Sequence, residues 1–154
     1  MGDSTLARVL RTHAFMQGFS ESQVEILAAL ASRVVFAENE VILVSGGRST
    51  SFYLLIAGSV AVELRTARYS VCIQALGPGQ VFGWSALLDR QDTLFQVRAR
   101  ERTTALRLDG AALIAACRAE PQLGEELYRR TLQVVAGRVK ATEERFAEMC
   151  GVKL

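Results

Sequence analysis

Apolar residues change their spacing twice along this chain of 154 residues. Leu6 to Leu10, with Phe15, Met16 and Phe19, form an apolar helical opening, and Val24, Leu27, Leu30 and Ala31 follow at helical spacing. Ser20 precedes that second run and Gln23 stands three residues on, a capping-box arrangement that predicts a helix start. From Arg33 the period drops to two. Residues 34–36, 41–44 and 52–56 read as short strands, with Ser45-Gly46-Gly47 as a turn. Val60, Val62 and Leu64 alternate, as do Val71, Ile73 and Ala75, which predicts strands with one buried face. Short strands at regular spacing with turn signals predict an antiparallel sandwich or barrel.

Asp109-Gly110 ends the strands. Residues 111–119 read as a short helix, Glu120-Pro121 as a break, and 121–149 as one long helix with proline in its first turn and Glu125 and Glu126 near its positive end. Along that helix Tyr128, Leu132, Val135, Val139, Thr142, Phe146 and Met149 recur at intervals of 4, 3, 4, 3, 4 and 3, a heptad seam. So regular a seam predicts a homodimer through this helix. The competing reading is packing of the same stripe onto the chain's own barrel.

The densest local signal is residues 76–88, Leu-Gly-Pro-Gly-Gln-Val-Phe-Gly-Trp-Ser-Ala-Leu-Leu. Pro78 between Gly77 and Gly79 sets a tight turn. Gly83 removes a side chain where backbone approaches something closely, and the residues after it can start a helix. Backbone N–H groups left unpaired at such a start suit an anion. Upstream, residues 52–64 read strand, Gly58 corner, strand; downstream come Val97-Arg98-Ala99-Arg100 and residues 104–108.

This ordered set resembles the cyclic nucleotide-binding domain, in the branch of the bacterial catabolite-activator (Crp/Fnr-like) regulators, over about residues 13–145. The resemblance implies an α+β, mainly β fold: an antiparallel jelly-roll barrel with N-terminal helices and a long C-terminal dimerisation helix that closes over the ligand. It divides one domain, 1–154, into a helical segment at 1–32, a barrel with its cassette at 33–109, and C-terminal helices at 110–150. In that family a glutamate after the cassette glycine takes the ribose hydroxyl, and an arginine about ten residues on takes the cyclic phosphate. Here Trp84 stands at the glutamate position, and Thr93 and Leu94 stand where the arginine and its small neighbour belong. Gly83, Ser85, Ala86 and Leu87 keep the backbone cradle. Thr142 matches the family's purine-reaching threonine, within residues 138–143, but Glu143 replaces the small hydroxyl residue after it.

Hydrogen bonds to charged groups contribute about 1.5–3 kcal/mol each, so losing both charged ligands costs on the order of 3–6 kcal/mol, a hundredfold or more in affinity. Weak or no cyclic AMP binding is therefore expected unless another cation substitutes. Arg90, Arg98 and Arg100 are nearby in sequence, and Arg98 and Arg100 share the strand face opposite Val97 and Ala99, which predicts that they face solvent. Trp84 either stacks on a flat ligand or fills the space a nucleotide would occupy. Two further readings stay open: a working cyclic AMP or cyclic GMP domain of a transcription regulator, and a ligand-free interaction module.

Composition narrows this little. A formal net charge of +2 does not argue for nucleic acid. The family's regulators continue into a helix-turn-helix domain, and with the chain stopping at Leu154, DNA binding by this chain alone is not expected. No apolar run approaches the length of a membrane span, and no signal peptide is evident, so a cytoplasmic location is expected. Cys72, Cys117 and Cys150 are far apart in apolar surroundings and read as reduced, buried or half-buried thiols. His13, the one histidine, reads as a satisfied structural residue, and no metal site is expected. No nucleophile–base pair stands out, so no enzyme activity is expected, and no cofactor beyond a nucleotide-like or other small anionic ligand.

Overall fold

The computed structural model describes residues 3–88, 92 and 94–153. Helix α1 spans Asp3–Thr12, a 3-10 turn follows at Ala14–Met16, and α2 spans Glu21–Leu30. Both bonds of the capping box are formed: Ser20 Oγ accepts from the Gln23 N–H, and Gln23 Oε1 accepts from the Ser20 N–H. Ala31, expected inside this helix, is instead the first residue of β1, extended at φ −89° and ψ 146°, with its N–H on the Ala28 carbonyl.

Eight strands follow: β1 Ala31–Phe36, β2 Val41–Leu43, β3 Ser51–Ala57, β4 Val60–Arg65, β5 Ser70–Leu76, β6 Val81–Phe82, β7 Phe95–Ala99 and β8 Thr103–Asp109. All pairings are antiparallel, in two four-stranded sheets of order β1-β8-β3-β6 and β2-β7-β4-β5. This is the expected jelly roll. Asp109 closes the barrel and caps helix α3 (Gly110–Ala119), its carboxylate accepting from the Ala112 N–H at 2.9 Å. Helix α4 then runs Pro121–Met149.

Two apolar clusters meet back to back at β3, and this explains its unbroken apolar sequence. Phe52 and Leu54 face the helices, joining Leu10, Leu27, Leu113 and Leu127. Tyr53 and Leu55 face the barrel interior with Val60, Val62, Phe82 and Val97. A strand buried on both faces has no solvent side to mark with polar residues. Inside the barrel the rings of Tyr53 and Phe82 stack at 4.7 Å, 10° from parallel. Full burial of one such side chain stabilises by about 1.5–3 kcal/mol.

Strand β5 departs from simple alternation. Val62 pairs with Gln74 but Glu63 pairs with Cys72, so Ile73 is an extra residue in the ladder. A one-residue bulge flips the side-chain parity beyond it. Ala75, expected to share the buried face of Val71 and Ile73, is exposed, and Gln74 and Leu76 turn inward instead. The cysteines also differ from expectation. Cys117 is buried, whereas Cys72, just before the bulge on an edge strand, and Cys150, past the end of α4, are exposed.

Most of the α4 seam does not pack on the barrel. Leu123, Leu127 and Thr131 are the buried positions, with Val134 against the same cluster. Tyr128, Leu132, Val139, Phe146 and Met149 are exposed on another face, while Val135 and Thr142 are half-buried.

Candidate functional site

The site is built from the turn at 77–80 outward. Gly79, at φ +89°, donates its N–H to the Leu55 carbonyl at 3.1 Å, and the Leu55 N–H returns to the Gln80 carbonyl at 2.9 Å. The same Leu55 carbonyl accepts from His13 Nε2 at 2.8 Å, while His13 Nδ1 accepts from the Phe15 N–H at 3.2 Å. Those two bonds fix a neutral imidazole with its proton on Nε2. Burial pushes the His13 pKa below its ordinary value. The histidine is thus structural, and it ties the N-terminal segment to the turn that enters the cassette.

After β6 the chain turns at Gly83, in the left-handed region at φ +81°. A Cβ there would lie 2.5 Å from the Ser51 carbonyl oxygen, so only glycine fits. Trp84–Leu87 form a 3-10 turn, with the Ala86 N–H on the Gly83 carbonyl at 3.0 Å. Ser85 Oγ accepts from the Ser49 N–H at 3.0 Å, which fastens the cassette to the loop before β3. Gly110 lets α3 approach: a Cβ there would lie 2.7 Å from the Ala86 carbonyl oxygen.

The cavity at Gly83 and Trp84 is small, about 30 Å³, and is lined among others by Ser85, Phe95, Val97 and Arg138. A cleft of about 250 Å³ on the β2–β3 side shares Leu43 and Ser85 with it. Ligand pockets are about 300 Å³ or larger. Trp84 is half-buried and packs against the helix-side core. Of the expected residues, Gly83, Trp84 and Ser85 therefore meet at one void. Ala86 and Leu87 are buried beside it. Leu94 is 73% exposed and does not line the cavity. Thr142 is not among the lining residues either, and its hydroxyl donates to the Arg138 carbonyl one turn back at 2.9 Å. Arg90 and Thr93 lie outside the described residues.

Sequence reasoning missed Arg138. It sits one helical turn before Thr142, in the stretch singled out for base contacts, and four residues apart is one helix face. Arg138 lines the cassette cavity and also a larger cleft, about 370 Å³, between α4, the 77–80 turn and the N-terminal segment. Burial pushes its pKa down, and no carboxylate pairs with it among the described residues.

Arg98, expected to face solvent, is half-buried. Its Nε and Nη2 reach Oε1 and Oε2 of Glu63 at 2.9 and 3.1 Å, and Nη1 reaches Asn39 Oδ1 at 2.9 Å. Glu63 is 3% exposed and accepts a third bond from Gln96 Nε2 at 2.6 Å. These donors, Arg98 foremost, hold the Glu63 carboxyl below its ordinary range. The face assignment was right; Glu63, opposite Gln96 on β4, is what covers that face. Arg98 is thereby committed to the barrel wall. Among the described residues no set of three or more His, Cys, Asp or Glu could hold a metal. No helix among them is long and apolar enough to cross a membrane.

Comparisons with known proteins agree with this geometry. The family model for the cyclic nucleotide-binding domain matches residues 33–120. A Rhodopseudomonas palustris protein named as a potassium channel protein is 34% identical over 113 residues, 73% of this chain but 26% of that protein. The chain thus spans about a quarter of that relative's length. A cyclic nucleotide-binding domain from Methylobacillus flagellatus superposes with a TM-score of 0.77 at 19% identity, covering 96% of this chain and 83% of the other. A cyclic nucleotide-binding protein from Geobacter metallireducens gives 0.74 at 22% identity, covering 86% and 97%. The fold is that of a cyclic nucleotide-binding domain. With the family model matching more than half of its length, the chain belongs to the cyclic nucleotide-binding domain family.

Proposed function

We propose that this chain is a non-catalytic regulatory module whose cassette is closed to cyclic nucleotides, binding cyclic AMP weakly or not at all. One observation carries the reading: the cavity at Gly83, Trp84 and Ser85 holds about 30 Å³, an order of magnitude below what a nucleotide-sized ligand needs. Trp84 stands at the family's glutamate position and lines that cavity, and Arg98, on the neighbouring strand, is held by Glu63. The module acts as a cytoplasmic homodimer through α4, whose exposed seam at Leu132, Val139 and Phe146 is the unpaired half of a coiled coil. The channel relative supports a second setting for the same module, as a regulatory domain within a larger protein.

Calorimetric titration with cyclic AMP and cyclic GMP, followed in parallel by Trp84 fluorescence, tests this. Trp84 is the sole tryptophan and reports from the cavity wall. The expected result is no saturable heat or quenching up to millimolar ligand. Micromolar binding of either nucleotide, with quenching of Trp84, overturns the reading.

A further inference from the structure

The 370 Å³ cleft is the larger of the two cavities that Arg138 lines, and its wall has a definite chemistry. Among the described residues its charged lining is Arg130 and Arg138, with no carboxylate. Arg130 is already engaged, with Nε on Glu126 at 2.6 Å, Nη1 on the Phe15 carbonyl at 2.8 Å and its guanidinium over the Phe19 ring. The Arg138 guanidinium has no hydrogen-bond or ion-pair partner among the described residues, and burial already disfavours its charge. Gln74 and Gln133 add side-chain amides, and Phe15, Leu76 and Val81 supply an apolar floor.

We propose that this cleft is a binding site, separate from the cassette cavity, for a small organic anion. Its oxyanion, phosphate or carboxylate, sits on the Arg138 guanidinium and its apolar body lies on the Phe15–Leu76–Val81 floor. An unpaired, half-buried guanidinium is an incomplete ion pair, and the planar fork matches either oxyanion through two parallel bonds. The cavity volume lies at the lower end of the range for small-molecule sites. Gly137 opens the cleft on the helix side, since a Cβ there would meet nothing within 4 Å. The inward turn of Gln74 comes from the β5 bulge, so an irregularity of the barrel delivers a donor to this site.

Phenyl phosphate and benzoate are the probes, each against sodium chloride of equal ionic strength, with thermal melting and backbone NMR of the full chain as readouts. At least one probe is expected to raise the melting temperature saturably and to shift the Gly137 and Gln74 amides, leaving the Trp84 indole signal in place. The two probes separate phosphate from carboxylate preference. Arg138→Gln should weaken the preferred probe by about tenfold or more. Gly137→Leu, which fills the cleft with a residue that favours helix, should abolish the effect while the protein still melts cooperatively. No saturable shift beyond chloride with either probe overturns the proposal. So does a response centred on Gly83 and the Trp84 indole that survives Gly137→Leu. Cyclic AMP binding at the cassette is read separately, by the calorimetric titration.

Discussion

Glu63 and Arg98 form a two-point ion pair across β4 and β7, at 2.9 and 3.1 Å, with Glu63 the buried partner and Arg98 the half-exposed one. Removing the cation leaves a buried carboxylate with Gln96 as its remaining hydrogen-bond partner and Arg65 as a more distant charge, and poorly compensated buried charge is costly. Arg98 keeps some contact with solvent, which moderates that cost. Arg98→Ala should lower stability by about 2 kcal/mol or more in urea unfolding. Adding Glu63→Gln to it should restore part of the loss, because the stranded charge is then gone.

The same pair fixes an acid limb. The Glu63 pKa is lower in the fold than its ordinary 4.5. The contribution is therefore complete above pH 4.5 and is lost as pH falls through the folded value. Melting temperature of the native chain should drop across that window, and Glu63→Gln should flatten the slope.

His13 predicts a second, milder limb. Its folded pKa lies below the ordinary 6.5, so the unfolded chain takes up the proton first. Stability should be full above pH 6.5 and fall as pH drops below it, when Nδ1 must give up the Phe15 N–H to be protonated. Denaturation at pH 7.5 and 5.5 should reveal the loss, and His13→Gln, though less stable throughout, should lack this step.

Gly83→Ala tests the cassette backbone. Left-handed φ and a Cβ 2.5 Å from the Ser51 carbonyl act together. The substitution should destabilise by about 2 kcal/mol or more. Gly46→Ala, with positive φ but open space around it, should cost less, about 1 kcal/mol.

Charges on the α4 seam test the homodimer. Leu132→Lys with Phe146→Lys should yield a monomer by light scattering with little change in the far-ultraviolet spectrum, since both side chains are at least two-thirds exposed. A wild-type chain that is monomeric at micromolar concentration would remove the dimer from the proposal.

The fold was legible because its signals are local. Ser20 and Gln23 write a cap, Pro121 starts α4 at its first turn, and the period change near Arg33 marks where helix gives way to strand. The failures were non-local. Nothing around Ala75 announces the bulge at Ile73, because a bulge exists only relative to the partner strand. Nothing beside Arg98 announces Glu63, 35 residues away. At the site, Gly83 was legible as a close approach, and Trp84 and Ser85 as its neighbours. Arg138 was not, because its importance comes from how far α4 lies over the barrel, and periodicity alone does not set that distance.

Helix α4 is held like a cantilever. Its first three turns are clamped by Leu123, Leu127 and Thr131, and Arg130 bolts it to the Phe15 carbonyl. Met149 lies 18 residues beyond Thr131, about 27 Å along the axis. Arg138 sits 7 residues beyond the clamp, about 10 Å out. A tilt that shifts Arg138 by about 1 Å therefore swings Met149 by about 2.6 Å. Any ligand that draws on Arg138 works the short end of a lever whose long end carries the exposed seam.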